Sequence, residues 1–525
     1  MAESGVEPQA DRAAAAELSG EAVELRAAFS VAGGESDAVE AFYSARDYEP
    51  FWLADGAADA LLDVLDAADA HGLPVARYDI DALEEARARG DAQAEIALMS
   101  AFLRYARDVR SGVLEPRRVD REIDIRPPRP ARADLLADLS ATASVDAYLA
   151  SLPPQPERYQ RLLAEKVRLE ALLTEGGWGD PVPAGDTLRP GDRSPRIEAV
   201  RARLLSFGVE EGVRPADGAP ADRFDDDLVA AVKMFQTHHG LNDDGVIGRR
   251  TAEALNSSVA DRLRQVIVNL ERNRWLNKPL GERHIFVNLA DYMMTLVDNG
   301  EPTLTSRVVI GERRHRTIEF SDEMEHMVVN PTWNVPRSIA TEEILPALQA
   351  DPSYLTDRDM QLIPTGSEPA PGVPELKDWS GYSVSNFPFR IRQRPGRGNA
   401  LGRVKFMFPN EYAIYLHDTP SRSLFARDAR AFSHGCIRVQ KPVELAEALL
   451  ARQSGTPAAD FQRYLEAEDE RYVHLDVHVP VHLTYQTAWV GRDGIPQYRD
   501  DIYGRDRRVF AALQALGVSL PDIDT

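Results

Sequence analysis

Among 525 residues a single cysteine occurs, Cys436. That excludes an internal disulfide and leaves either single-thiol chemistry or an inert side chain. A chain without cysteine pairs suits an oxidising or a reducing compartment equally. No apolar run approaches the roughly 18 residues needed to span a bilayer. The opening residues Met1 to Asp11 have neither a basic start nor an apolar stretch, so they are not a signal peptide as written. The chain is expected to be either cytosolic or exported by a signal no longer attached. Positive charge is in deficit: 61 Lys and Arg against 84 Asp and Glu give a net charge of −23. Such a balance argues against broad nucleic-acid binding, which needs basic patches to neutralise phosphates.

What is present is an ordinary globular composition, 43% hydrophobic and 28% charged. The length suits two to four domains of about 100–200 residues. Residues 1–20 are small, polar and acidic, and are predicted to be a disordered tail. Residues 21–186 read as a helical scaffold domain. Leu61, Val64 and Leu65 share one helix face with acids opposite. Helical patterns recur at Met99 to Val109 and at Glu157 to Leu173. The run Arg126 to Arg132, with Pro127, Pro128 and Pro130, must break them. Gly176 to Asp192 has linker composition. Residues 187–257 hold three helical stretches around Gly240-Leu241 and Asp244-Gly245-Val246-Ile247-Gly248, with Thr251 predicted to cap the last one. The Phe235-Gln236 pair and that glycine-rich run resemble the common peptidoglycan-binding domain, although units of this kind also serve as spacers.

From about His284 the periodicity changes to two, and residues 258–525 are predicted to form a β-rich domain. Strand candidates are 284–289, 292–297, 307–310, 326–330, 403–408, 412–416 and 472–490, with Asp298-Asn299-Gly300 as a hairpin turn. Residues 336–386 read as an insertion over the β core, with 341–349 helical and 364–374 a loop. Insertions of that length are often lids.

Cys436 lies in Ser433-His434-Gly435-Cys436-Ile437-Arg438, and His417 precedes it by nineteen positions. A thiol is nucleophilic as thiolate, and an imidazole can take its proton and return it to a leaving amine. Gly435 allows close backbone approach, and the amides of Gly435 and Cys436 are candidate oxyanion donors. Zinc on His417, His434 and Cys436 is the alternative, without the pairing of ligands zinc sites usually show. Between Arg390 and Lys441 there are 11 basic residues and three acidic ones. That local field suits an acidic substrate, and Arg438 is placed to grip a carboxylate.

These residues resemble the signature of YkuD-type L,D-transpeptidases, specifically the large YcbB-like subgroup. The likeness extends to Asn330-Pro331-Thr332-Trp333-Asn334-Val335-Pro336, Ser385-Asn386-Phe387-Pro388-Phe389-Arg390, Asn399-Ala400-Leu401-Gly402-Arg403, Tyr415-Leu416-His417-Asp418-Thr419 and Asp500-Asp501-Ile502-Tyr503. It implies an α+β multidomain protein with a helical N-terminal scaffold, a small three-helix peptidoglycan-binding domain and a β-rich catalytic domain with a capping insertion. It also implies a cysteine nucleophile, Cys436, with His417 and Gly435 as catalytic partners. Substrate contacts would come from Arg438, His434, Tyr415 and Trp333. No metal or cofactor is implied. The partners would be peptidoglycan stem peptides and, as possible acceptors, outer-membrane proteins. The implied compartment is the periplasm. Implied chemistry is release of terminal D-Ala from a stem tetrapeptide, then transfer to a meso-diaminopimelate amine, giving 3–3 cross-links. An L,D-carboxypeptidase, a protein-tethering enzyme and an inactive wall-binding protein are the rival readings.

Overall fold

The computed structural model describes residues 19–32, 37–54, 56–365 and 378–521. The predicted tail lies outside the described residues up to residue 18, and a helix, Gly20–Ala32, starts at its end. Residues 366–374 of the predicted loop also lie outside them.

The scaffold is helical. Its longest helix, Ala92–Ser111, starts where the Asp91 carboxylate accepts the Ala94 amide at 2.8 Å and stops at Gly112, whose φ is +86°. Leu98, Phe102, Tyr105 and Val109 recur on one face and are buried with Leu61, Leu65 and Trp52. The small domain has helices Pro195–Ser206, Asp226–His238 and Arg249–Leu255. Thr251 does not cap the last of these, because Gly248 occupies the cap position. Thr251 is buried instead, and its hydroxyl accepts from the Gln236 side chain at 3.2 Å. The Gln236 amide also spans the turn, to the Val246 carbonyl and from the Gly245 amide, both at 2.9 Å. The linker is packed rather than free: Trp178 lies 4.4 Å from the Phe207 ring, and Leu188 bridges Ile247.

Eight strands of the third region close on themselves. They are β1 (Arg283–Asn288), β2 (Met293–Asp298), β3 (Glu301–Gly311), β4 (Phe320–Val329), β8 (Val404–Met407), β9 (Leu416–His417), β11 (Ile437–Val439) and β12 (Arg471–Thr484). The pairing runs β3-β11-β9-β8-β4-β12-β1-β2 and back to β3, with β10 (Ala431–Ser433) added along β3. Closure removes free edges and encloses one core containing Ile285, Met294, Val329, Phe406, Leu416 and Ile437. Asn299 and Gly300 take φ of +52° and +80°, as a two-residue hairpin turn requires.

The insertion forms its own small layer. β5 (Trp333–Asn334), β6 (Met360–Pro364) and β7 (Phe389–Gln393) make a separate sheet ordered β5-β7-β6. Helical turns over residues 337–350 pack on it, and Val335, Leu348, Trp379 and Phe389 form its core. The layer is wider than the predicted 336–386, because its sheet needs strands on both sides of that stretch.

One helix that sequence patterning did not single out ties these parts together. Val259–Trp275 is capped by a reciprocal Ser258–Asp261 box and is buried for nearly its whole length. Toward the scaffold, Glu271 accepts from the Leu114 amide at 2.9 Å, and Arg274 reaches the His71 carbonyl at 2.8 Å. Toward the barrel side, Arg272 pairs with Asp506 at 2.6 Å, and Asn269 donates to Thr487 at 2.7 Å. Its apolar residues share a cluster with Tyr159 and Leu169 of the scaffold and with the hairpin of β13 (Ala488–Val490) and β14 (Pro496–Tyr498). The predicted strand 472–490 therefore ends at Thr484, and β13 belongs to this junction.

Candidate active site

β9 and β11 run parallel, with Leu416 opposite Ile437 and His417 opposite Arg438. Leu416, Ile437 and Val439 face the barrel core. Side chains alternate along a strand, so His417 and Arg438 share the other face. Extending the register by one residue places Tyr415 opposite Cys436 on that same face, and the Ile437 amide donates to the Tyr415 carbonyl at 3.0 Å. Nucleophile and base candidates are thus diagonal neighbours across one strand pair. The loop 419–435, with a turn at Arg422–Ala426, returns the chain to make this pairing.

His417 is 5% exposed, and its Nδ1 lies 2.5 Å from the Asp418 carbonyl. That contact puts the proton on Nδ1 and leaves Nε2 as the basic nitrogen. Burial, reinforced by the Arg438 charge, lowers the imidazole pKa to about 3, against the pull of the Asp418 carbonyl. The Cys436 thiol is half-buried and sits 3.6 Å from the Ala413 carbonyl. Burial pushes its pKa up, opposed by hydrogen bonds from the Tyr415 amide and hydroxyl and by the Arg438 charge. The resting pair is therefore neutral thiol and neutral imidazole. Tyr415 stands 5.6 Å from the His417 ring, and its hydroxyl pKa is raised by burial and by Cys436.

The backbone at the cysteine is tied down by two hydroxyls. Gly435 has φ of +111°, a conformation that favours glycine. Its amide donates to Ser433 Oγ at 3.2 Å, and Ser433 Oγ donates to the Cys436 carbonyl at 2.5 Å. The expected role of the Gly435 amide as an oxyanion donor is therefore corrected: that N–H is already engaged. The Cys436 amide has no protein acceptor among the described residues and is the remaining donor. Thr317, fully buried, donates to the Gly435 carbonyl at 2.8 Å and accepts from the Gly311 amide at 2.9 Å. Tyr503, from the Asp500–Tyr503 run, donates to the Gly311 carbonyl at 2.6 Å. Sequence reasoning missed Thr317, which is distant in the chain and carries no motif.

Arg438 is half-buried beside Cys436 and His417, and its Nε has no partner. Asp418 is not a third catalytic side chain. Its carboxylate accepts from the Arg403 amide at 2.9 Å and from Arg422 at 3.1 Å. Gly402 packs so close that any Cβ there would overlap that carboxylate. His434 is exposed. Its Nε2 pairs with Glu343 of the inserted layer, and its ring lies 4.8 Å from His315. Trp333 packs on the core of the inserted layer. One of the local basic residues is structural: Arg430 is buried against the carbonyls of Val308 and Tyr292.

Residues 282–459 match the family model for the L,D-transpeptidase catalytic domain, residues 193–255 that for a peptidoglycan binding domain, and residues 37–165 that for a scaffold domain. A Haemophilus influenzae protein named a candidate L,D-transpeptidase is 35% identical over 270 residues, covering 50% of this chain and 53% of its own length. The N-acetylmuramoyl-L-alanine amidase CwlM of Mycobacterium tuberculosis is 38% identical over 78 residues, 14% of this chain and 19% of that protein. The chain thus spans about half, or less, of the curated relatives it matches. The crystal structure of an L,D-transpeptidase from Stackebrandtia nassauensis aligns at 14% identity and a TM-score of 0.22, over 58% of this chain and 97% of that one, too low to add to the assignment. The chain carries a YkuD-type L,D-transpeptidase catalytic domain together with a peptidoglycan-binding domain and a helical scaffold domain.

Proposed function

We propose that the protein is a cysteine L,D-transpeptidase acting on peptidoglycan stem tetrapeptides in the periplasm. The observation that carries this reading is the shared face of β9 and β11, which gathers Cys436, His417, Arg438 and Tyr415. In the first step His417 Nε2 takes the thiol proton as Sγ attacks the carbonyl between meso-diaminopimelate and terminal D-Ala. A neutral resting pair suits this order, because no buried ion pair has to be maintained before substrate arrives. The Cys436 amide meets the developing oxyanion. The imidazolium then gives its proton to the departing D-Ala amine, leaving a thioester on Cys436. In the second step the side-chain amine of another stem attacks the thioester and passes a proton to His417. The amide of a 3–3 cross-link forms, and the proton returns to the released thiolate. Arg438, half-buried and with its charge acting on the thiol, is the group for a stem carboxylate.

Mass spectrometry of products from a purified disaccharide-tetrapeptide tests this. A dimer lacking one D-Ala is expected, and Cys436→Ala should abolish it. A tripeptide alone would assign water as the acceptor and make the protein a carboxypeptidase. Cross-linking that survives Cys436→Ala would remove the nucleophile from the scheme.

A further inference from the structure

Five arginines surround one cavity of about 480 Å³ on the scaffold domain, remote in sequence from Cys436. Arg104 and Arg107 come from the helix Ala92–Ser111, and Arg77 from the turn Val75–Arg77. Arg129 and Arg132 come from the proline-rich run that the rest of the protein's chemistry leaves unexplained. No carboxylate lines the cavity, and Leu103 and Leu135 supply apolar wall. Two counter-charges lie nearby. Asp108 pairs with Arg77 at 2.6 Å, and Glu115 is shared between Arg107 and Arg129. Arg104 donates to the Arg77 carbonyl at 2.9 Å and has no carboxylate partner among the described residues; Arg132 has no ion pair among them. Five guanidinium groups against two carboxylates leave three positive charges unmatched, in a chain whose net charge is −23.

We propose that this cavity binds a multivalent oxyanion, a ligand with two or more phosphate or carboxylate groups. Like charges three residues apart on a helix repel, as Arg104 and Arg107 do, and an anion between them relieves that cost. Guanidinium forks pair with either oxyanion through two parallel N–H···O bonds. The cavity volume lies within the range of small-ligand sites. Pro127, Pro128 and Pro130 restrict the backbone that carries Arg129, so less order has to be imposed on binding. The site is independent of the transpeptidase reading and stands or falls by itself.

Calorimetric titration of the full chain at low salt, with inorganic pyrophosphate and with citrate as probes, tests the proposal. One equivalent of at least one probe should bind, and more weakly as salt is raised. Pyrophosphate alone would point to a phosphate-bearing ligand, and citrate alone to a carboxylate-bearing one; binding of both means the site reads charge. Arg104→Gln with Arg132→Gln should weaken binding at least about tenfold, because each substitution removes a charge-assisted pair. Both side chains are exposed, so melting temperature and Cys436 acylation should not change. Arg104→Lys with Arg132→Lys keeps the charge, loses the fork and should bind with intermediate affinity. Absence of heat with both probes, or unaltered binding in the glutamine pair, would overturn the proposal.

Discussion

At the residue scale the site depends on which groups are already occupied. Ser433 takes the Gly435 amide, Asp418 lends its carbonyl to His417, and Thr317 holds the Gly435 carbonyl. Because a trans peptide points its C=O and the following N–H in opposite directions, fixing the Gly435 carbonyl also aims the Cys436 amide. Thr317→Val keeps the shape but leaves two buried polar groups unsatisfied, each costing about 1–3 kcal/mol. Its kcat should fall by up to about 100-fold with KM little changed, the scale seen when a reacting group is misplaced by about 1 Å. Thr317→Ser should recover most of that turnover, and steady-state kinetics on both variants would show whether it does. The imidazole gives a second expectation. With its pKa near 3, His417 stays neutral from pH 5 to 8. Acylation of Cys436 by a carbapenem should therefore show no inflection near 6.5 when its rate is followed by intact mass. A step at that pH would mean that the imidazole is solvated in the working enzyme.

At the scale of elements, Val259–Trp275 has the composition of a surface helix and the position of a core one. Four of its charged residues, Arg262, Glu271, Arg272 and Arg274, are buried; Glu271 and Arg274, both fully buried, pair with one another at 2.9 Å and then reach the scaffold. Removing one member of such a pair strands the other charge. Arg274→Met should cost about 3–5 kcal/mol, and adding Glu271→Met should return part of that loss. Urea unfolding midpoints of the single and double variants measure both effects. If the single variant were as stable as the parent, the network would not be what joins scaffold to barrel. The inserted layer makes the opposite use of charge, since His434 and Glu343 meet at an exposed contact between that layer and the loop before Cys436.

At the scale of the whole molecule, buried histidines link stability to pH. His71 and His482 are held down to about 4, in each case mainly by burial, and His417 to about 3. Their folded values lie below the unfolded value of 6.5, so the unfolded chain binds more protons as pH falls. The stability is fully present above 6.5 and is lost between 6.5 and about 4, or about 3 for His417. Each histidine contributes a slope of about 1.4 kcal/mol per pH unit across that window. Thermal unfolding from pH 7 to pH 4 should show a steep fall in melting temperature, lessened in His482→Gln. A flat profile would mean that these rings are not kept neutral by the fold.

The sequence by itself determined the class of fold, the hairpin at Asn299-Gly300 and the change of periodicity near residue 284. Those features are local: turn geometry, side-chain alternation and the reactivity of a residue type are set within a few positions. Only the tertiary structure decided the rest. It withdrew the Gly435 amide, turned Asp418 into an anchor, sent His434 to the inserted layer and brought Thr317 to Gly435 across 118 positions. The physical reason is that a hydrogen-bonding group carries no mark of its partner, and the partner is chosen when distant strands pair. Cys436 was visible in the sequence as a candidate nucleophile; the neutral state of the His417 imidazole follows from burial, which no local pattern encodes.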